Sequence, residues 1–487
     1  MKESFITLDE PNFSCKSARE LRKIRSQSLT LHQRKIGFLM TLRASLLRDL
    51  QNPKLSVSDR AELCCEAAKE FENKGEYEAA RKILGDYWQR IGEHPRLTGL
   101  ERTVSAEVLL RAGVLTGIIG SKNQISEAQE KAKDLLTESH AIFESHRNRK
   151  KIAEAQTELA LCYWRTGEIR EAQALLNEAL SRLTINNELK AKAIIRVGIV
   201  EHSAGHDSEA VRVLMDHAQL FEKLNNHTLK GCYHHTLGNR LENLGDSERR
   251  RDYSDRALIE YAAASYHFEL AGHRIYLASV ENNLGFLYFR INRCDDAHKH
   301  LDRARRIFTS LKDRSAAAQV DETRACVFLQ QGRVTDAEHV ARLAVQNQEK
   351  SGRHGLLAEA LITHGRALAR LERYGAALSA FRRAIEVSEH AGDINRAGHA
   401  SHAAFQEIGK HLVVSEGGPS ISGYGWSHDR RSTEHDLIKL ALEQTNGSVT
   451  HAARNLGISY PALNYMLNTR HKDLLKYRTP VRRRPRR

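Results

Sequence analysis

Four side chains at helical spacing, Tyr460, Asn464, Tyr465 and Asn468, carry the most readable chemistry in this 487-residue chain. Amides and phenols on one open helix face can hydrogen-bond the edges of bases in a major groove. Ser459, one residue ahead, can cap that helix. Downstream, Arg470 to Arg487 holds nine Lys or Arg against a single acid, Asp473, so these 18 residues carry +8 of the formal +14. Arg470, Lys472, Arg482, Arg483 and Arg484 in this run suit phosphate neutralisation, with roughly one power of salt dependence per phosphate contacted. Register would be set by the tail and base edges read by the helix.

Those residues need elements to position them, and the punctuation of the chain supplies them. Leu437, Ile438, Ala441 and Leu442 form an apolar helical face that stops at the turn pair Asn446-Gly447. Ser448 can cap the next helix, whose buried side is Val449, Ala452, Ala453 and Leu456. Gly457 turns the chain, Ile458 plugs the corner, and Pro461 stands in the first turn of a last helix, where a missing N–H costs nothing. Leu463, Met466 and Leu467 face inward.

The string NGSVTHAARNLGISYPALNYML resembles the Fis-type helix-turn-helix of bacterial regulators, over roughly residues 433 to 470. The resemblance implies a double-stranded DNA partner, with the contacting surface on Ser459, Tyr460, Asn464 and Tyr465. It also implies a homodimer that would set two recognition helices about 34 Å apart, although no heptad seam marks the chain. Family members usually place Arg or Lys at several of these positions, where this chain has two tyrosines and an asparagine, so charge must come from the tail. Fis-type modules often close activators that carry an ATPase engine. The phosphate loop such an engine needs is missing here, which favours direct repression or recruitment.

The rest of the chain reads as all-α. Only seven prolines occur, none between Arg96 and Gly418, and the run between them is rich in Ala, Leu, Glu, Arg and Lys, with aromatics at 6% overall. Between about Ser58 and His411 a pattern returns roughly every forty residues. Leu159-Ala160 leads to Gly167, Ala172 and Ala179; Val197-Gly198 to Gly205 and Ala210; Leu284-Gly285 to Tyr288, Ala297 and Ala304; Ala325 to Gly332, Ala337 and Ala344; His364-Gly365 to Tyr374, Ala377 and Ala384. A small residue, a turn seven residues on, then another small residue five further describes two antiparallel helices that cross closely. The pattern resembles the tetratricopeptide repeat, best at 153–183, 279–309 and 358–388. It departs in a period near 40 rather than 34 and in lacking the closing proline, and longer helices would explain both. An insert at Ser247 to Asp255 reads as an extended helix or an exposed loop.

The expected architecture is therefore a tetratricopeptide-like α-solenoid followed by a small helix-turn-helix module. Residues 1–57 form a helical cap, 58–412 the repeats, 413–432 a flexible Gly/Ser linker, 433–478 the helix-turn-helix and 479–487 a basic tail. Stacked hairpins offer an inner, concave surface as the default binding site. On the first helices it should include Trp164, Arg165, Asn239, Glu242, Asn282, Phe286, Arg290 and Arg366, which suit a peptide or a partner helix. Several of these could equally pack against a neighbouring repeat.

Other chemistries lack their signatures. Gly113 to Gly120-Ser121-Lys122 misses the order of a phosphate loop, and its glycines fall in repeat register, so they serve helix packing. His234-His235 and the other histidines show no metal spacing, and most read as surface residues. No nucleophile elbow appears, so no enzyme, cofactor or metal is expected. Seven scattered cysteines, Cys15, Cys64, Cys65, Cys162, Cys232, Cys294 and Cys326, give neither a disulfide framework nor a zinc site and point to a reducing compartment. Neither a leader-like apolar segment nor an uninterrupted apolar run of membrane length appears, so a cytoplasmic protein without a membrane is expected. The reading is a sequence-specific transcription regulator whose solenoid receives a protein, peptide or ligand or self-associates. The alternative is an adaptor that binds nucleic acid without reading sequence.

Overall fold

The computed structural model describes residues 50, 52, 54–248, 250–414, 435, 438–439, 441–443, 445–456, 460–469 and 471–478. Helix is the only extensive regular structure among them, and the chain divides into two compact units. The first comprises Met1–Arg240 with Tyr266–His273, the second Leu241–Ser265 with Arg274–Arg487. Most of the expected cap, the 415–432 part of the linker and the 479–487 tail lie outside the described residues.

In the first unit the helices pair as hairpins: α1 (Val57–Asn73) with α2 (Tyr77–Ile83), α3 (Arg102–Lys122) with α4 (Ala128–Ser145), α5 (Arg149–Thr166) with α6 (Ile169–Arg182), and α7 (Glu188–Ser203) with α8 (Asp207–Asp216), followed by α9 (Ala218–Lys223). Starts are capped by side chains: Ser56 and Asp59 form a reciprocal capping box, and Asn148 and Asn187 each accept a backbone N–H three residues on. The small residues sit where the helices cross. Gly120 lies so close to α4 that a Cβ there would come within 2.2 Å of the Ala128 Cβ, and Ala160, Ala172 and Ala179 are fully buried. Helix α3 alone among the described residues is long and apolar enough to cross a membrane; 83% of its most apolar window is buried against neighbouring helices. The turn after α1 meets residues far along the chain. Thr228 donates its hydroxyl to the Asn73 carbonyl at 3.0 Å, and His273 packs directly on Gly75.

Two longer helices follow, α10 (His227–Glu248) and α11 (Arg251–Ala271). The Ser247–Asp255 insert ends one and begins the other, with Ser247, Glu248, Arg250, Arg251 and Asp252 exposed.

In the second unit the repeat becomes regular: α12 (Arg274–Arg290) pairs with α13 (Cys294–Ser310), α14 (Arg314–Gln330) with α15 (Val334–Glu349), α16 (His354–Arg370) with α17 (Tyr374–His390), and α18 (Ile394–Val414) closes the series. The first helices begin at Arg274, Arg314, His354 and Ile394, forty residues apart, because each unit is two helices of 16 or 17 residues joined by tight turns. The forty-residue period thus has the cause expected of it, longer helices. Gly285 faces Leu301, Gly365 faces Phe381, and Ala297, Ala304, Ala337, Ala344, Ala377 and Ala384 are fully buried.

The C-terminal module has its own core. Ile438, Ala441, Leu442, Val449, Ala452, Ala453, Leu456, Leu463, Leu467 and Leu474 are buried together, with Met466, Leu475 and Tyr477 packed against them. The chain turns at Asn446 and Gly447, both with positive φ, and the Gly447 N–H donates to the Leu442 carbonyl at 2.7 Å. Ser448 then accepts the His451 N–H and starts α19 (Val449–Asn455); α20 (Tyr460–Thr469) and a short 3-10 helix at Lys472–Tyr477 complete the module.

Candidate functional site

Helix α20 buries Leu463 and Leu467 and turns Asn464 and Asn468 outward, four residues apart on one face. Asn468 is exposed and donates its side-chain amide to the Asn464 carbonyl at 2.6 Å. The Asn464 side chain is half-buried, and its Oδ1 accepts from Arg478 Nη1 at 3.4 Å. Tyr460 and Tyr465 lie on the same helix, Pro461 in its first turn. Lys472 stands exposed at the start of the 3-10 helix. Ser459, Arg470, Arg482, Arg483 and Arg484, with Leu437, Gly457 and Ile458, lie outside the described residues. What α20 offers is amide chemistry: each Asn carries both a donor and an acceptor, the pair that can read a base edge.

Sequence reasoning missed what braces this helix. His471 is buried, its N–H donating to the Met466 carbonyl at 3.0 Å, and His435 Nε2 meets Asp473 Oδ2 at 2.5 Å. The hydrogen bond from His435 holds the Asp473 carboxyl below its ordinary range. A detectable signal was present in Leu474 and Tyr477, three residues apart, the period of a 3-10 helix.

The first helices of the repeats carry the other candidates, each considered within its own unit. In the first unit the indole N–H of Trp164 donates to Ser203 Oγ at 2.7 Å, tying α5 to α7. Arg165 is half-buried beside Gly117 of α3. Asn239 is half-buried with its amide 3.4 Å from His235 Nε2. In the second unit the Asn282 Oδ1 is buried with no hydrogen-bond partner, while Phe286, one turn on, is 39% exposed. Arg290 pairs with Asp246 and with Glu242 at 3.4 Å, its guanidinium 5.9 Å from the Phe286 ring centre. Arg366 is half-buried on α16; nearby, burial raises the Glu322 carboxyl, which accepts from Thr363 Oγ1 at 2.6 Å. Asn282, Phe286 and Arg290 therefore share one helix face, whereas Trp164, Arg165 and Asn239 belong to the other unit.

A second feature that sequence did not reveal fills the first-helix face of the first unit with charge. Arg111, 0% exposed in the middle of α3, donates to Glu72 Oε2 of α1 at 2.8 Å and to Glu154 Oε1 of α5 at 2.7 Å, with Glu107 at 3.4 Å. Lys69 reaches Glu154 at 2.7 Å, Lys151 pairs with Glu107 and Glu154, and Glu158 binds Lys192 at 2.7 Å and Arg196 at 2.6 Å. Burial pushes the Glu154 carboxyl up, but Arg111, Lys69 and Lys151 outweigh it and hold it well below the usual range. Glu72 goes the other way: its burial is larger than the pull of Arg111.

Most described histidines keep some surface, as expected, and two are buried exceptions. His273 is 1% exposed and neutral, burial holding it down to about 4, and His471 sits in the core of the C-terminal module. His227 and His267 bring their Nδ1 atoms within 3.0 Å, and His234 stacks on His267. Apolar surroundings, which α-helical spacing alone does not encode, account for these positions. Among the described residues no group of three His, Cys, Asp or Glu is placed to hold a metal ion. The six described cysteines are free thiols, and burial raises Cys64 and Cys162 to about 11 and Cys232 to about 12.

Residues 430–468, which frame this helix pair, match the bacterial regulatory protein Fis family, and residues 153–182 and 358–390 match the tetratricopeptide repeat. The chain joins tetratricopeptide repeats to a Fis-family helix-turn-helix. These families belong, respectively, to protein interaction and to DNA-binding transcription regulation, and neither is catalytic. The fold is similar to that of a signal transduction ATPase with numerous domains and a tetratricopeptide repeat sensor from Pyrococcus horikoshii, at TM-score 0.51 and 14% identity over 83% of this chain and 55% of that one. This chain thus spans little more than half of that protein. It is also similar to the apo form of the quorum sensor NprR from B. thuringiensis, at TM-score 0.50 and 10% identity over 76% of this chain and 99% of that one. At such identities the likeness is one of fold. No curated protein sequence matches the chain.

Proposed function

We propose that this protein is a cytoplasmic transcription regulator: α20 reads a preferred duplex through Asn464, Asn468, Tyr460 and Tyr465, while Arg470, Lys472 and the arginines from 482 onward neutralise phosphates. The observation that carries this is the burial of Leu463 and Leu467 in the same core as Val449 and Leu456, which leaves two asparagines a turn apart on the outer side of the second helix of a Fis-family motif. The repeats receive a protein or peptide whose binding sets the activity of the DNA module. The second unit supports that role best, because Phe286 is exposed on the first-helix face of α12. The name of the structurally similar NprR, a quorum sensor, fits a repeat array that receives a signal. On DNA the protein acts as a homodimer, one helix to each half-site.

One observation favours a second reading. Helix α20, with the sequence YPALNYMLNT, carries no Lys or Arg, so an adaptor that holds nucleic acid through its basic tail alone is the rival. Selection from a random duplex library at near-physiological salt separates the two. An enriched sequence, lost in Tyr465→Ala, supports the regulator; binding at low salt without enrichment supports the adaptor.

A further inference from the structure

We infer that residues 471–478 are a built part of the DNA-reading surface, in which Arg478 is a positioning residue for Asn464 and Lys472 and Lys476 are fixed phosphate contacts. The inference rests on the DNA-binding reading above and goes beyond the Fis-family match, which ends at residue 468.

Three independent anchors hold this segment on the helix pair. Its backbone returns to α20 through the His471 N–H and Met466 carbonyl; Leu474 is buried with Leu463 and Leu467; and Asp473 is tied to His435, on the first helix of the module. Lys439, one turn beyond His435, adds a cation 5.6 Å from the Tyr477 ring. A loose basic tail would need none of these contacts.

The anchors fix where the cations stand. Lys472 and Lys476 are exposed on the outer side of the 3-10 helix, and Arg478 reaches back to α20. An asparagine amide can present either its oxygen or its nitrogen to a base, and only its partners decide which. Arg478 has donors alone, so a bond from it to Asn464 Oδ1 selects the orientation in which the oxygen faces Arg478 and the amide N–H₂ is left for a base acceptor. The Asn468 amide spends one N–H on the Asn464 carbonyl and keeps its second N–H and its oxygen for a base.

The test uses the full-length protein and the duplex enriched by it, together with single-base variants of that duplex. Arg478→Met removes the donor and the charge; Arg478→Gln removes the charge but keeps a donor. At one base position the preference should fall about tenfold in Arg478→Met and be retained in Arg478→Gln. A purely electrostatic or folding role would move both variants alike. Lys472→Gln with Lys476→Gln should weaken all duplexes equally and make the logarithmic salt dependence shallower by about two. Unchanged preference in Arg478→Met, or loss in both Arg478 variants, overturns the positioning role, and an unchanged salt dependence overturns the phosphate contacts. Failure of the unaltered protein to enrich any duplex overturns the underlying DNA reading as well, a result distinct from an enriched duplex indifferent to Arg478.

Discussion

Replacing Arg111 by methionine puts the interior of the first unit to the test. The side chain is 0% exposed, and methionine keeps most of its aliphatic volume, so the change is chiefly one of charge. Its carboxylate neighbours do not lose equally. Glu154 keeps Lys69 and Lys151, and Glu107 keeps Lys151, but Arg111 is the one ion-pair partner of Glu72 among the described residues. Breaking a buried pair by removing one member costs about 3–5 kcal/mol, because the remaining charge is left desolvated. Glu72 will respond by taking up a proton. Its carboxyl is already raised by burial, so the folded state binds more protons than the unfolded one between the ordinary carboxylate value and the raised one, and stability falls as pH rises through that window. The deficit of Arg111→Met should therefore narrow as pH is lowered from 7 toward 5, and Glu72→Gln in the same background should recover about 1–2 kcal/mol at pH 7. Urea unfolding followed by tryptophan fluorescence reports chiefly on this unit, since two of the three tryptophans, Trp88 and Trp164, lie in it. A deficit below about 1 kcal/mol, or one indifferent to pH, would show that the ion pairs are not what sets the stability of this unit.

Three further outcomes follow from the same contacts. Gly120→Ala gains about 1 kcal/mol of helix propensity but drives its Cβ to 2.2 Å from that of Ala128, an overpacking that costs about 1–3 kcal/mol, so thermal unfolding should show a net loss and a net gain would refute the close crossing. His273, held at about 4 against an ordinary 6.5, is unprotonated in the fold and protonated in the unfolded chain between those values; stability should drop as pH falls through that range, by about 3 kcal/mol in total, and the slope in His273→Asn should be lower by about one proton's worth. Matching slopes in urea titrations from pH 6.5 to 4 would contradict this. Truncation of Arg482 to Arg487 removes five arginines and should weaken every duplex alike, with a salt dependence shallower by up to about four; a loss confined to the preferred duplex would place base reading in the tail.

Much of the fold was legible because it depends on residues with few alternatives. Small side chains at Gly285, Ala325 and Gly365 allow close crossings wherever they occur, and helices of constant length give them a constant spacing. The Asn446-Gly447 turn and the Ser448 cap are equally local. Long-range pairing was not legible. Glu154 and Glu158 look like an ordinary solvated helix face, and the partners that make them interior, Lys69, Arg111, Lys192 and Arg196, lie tens of residues away. The bracing of α20 by His435, Asp473 and Arg478 escaped notice for the same reason: each contact joins residues from different turns of the module.

Repeat register also states which face a residue occupies without stating whether that face is free, and the two units show the difference. Trp164 spends its indole N–H on Ser203, and in the same unit the first helices meet through Arg111, Glu154, Glu158 and Arg196, whose opposite charges pair in low dielectric. A ligand entering there would have to replace several charge-assisted bonds at once, which a peptide amide cannot do. On α12 the balance is reversed. The exposed Phe286 ring has apolar area still to lose, so a bound chain would gain a desolvated contact there without breaking an ion pair. The difference between these faces, rather than their shared register, is why the exposed ring on α12 is the stronger candidate for a partner contact.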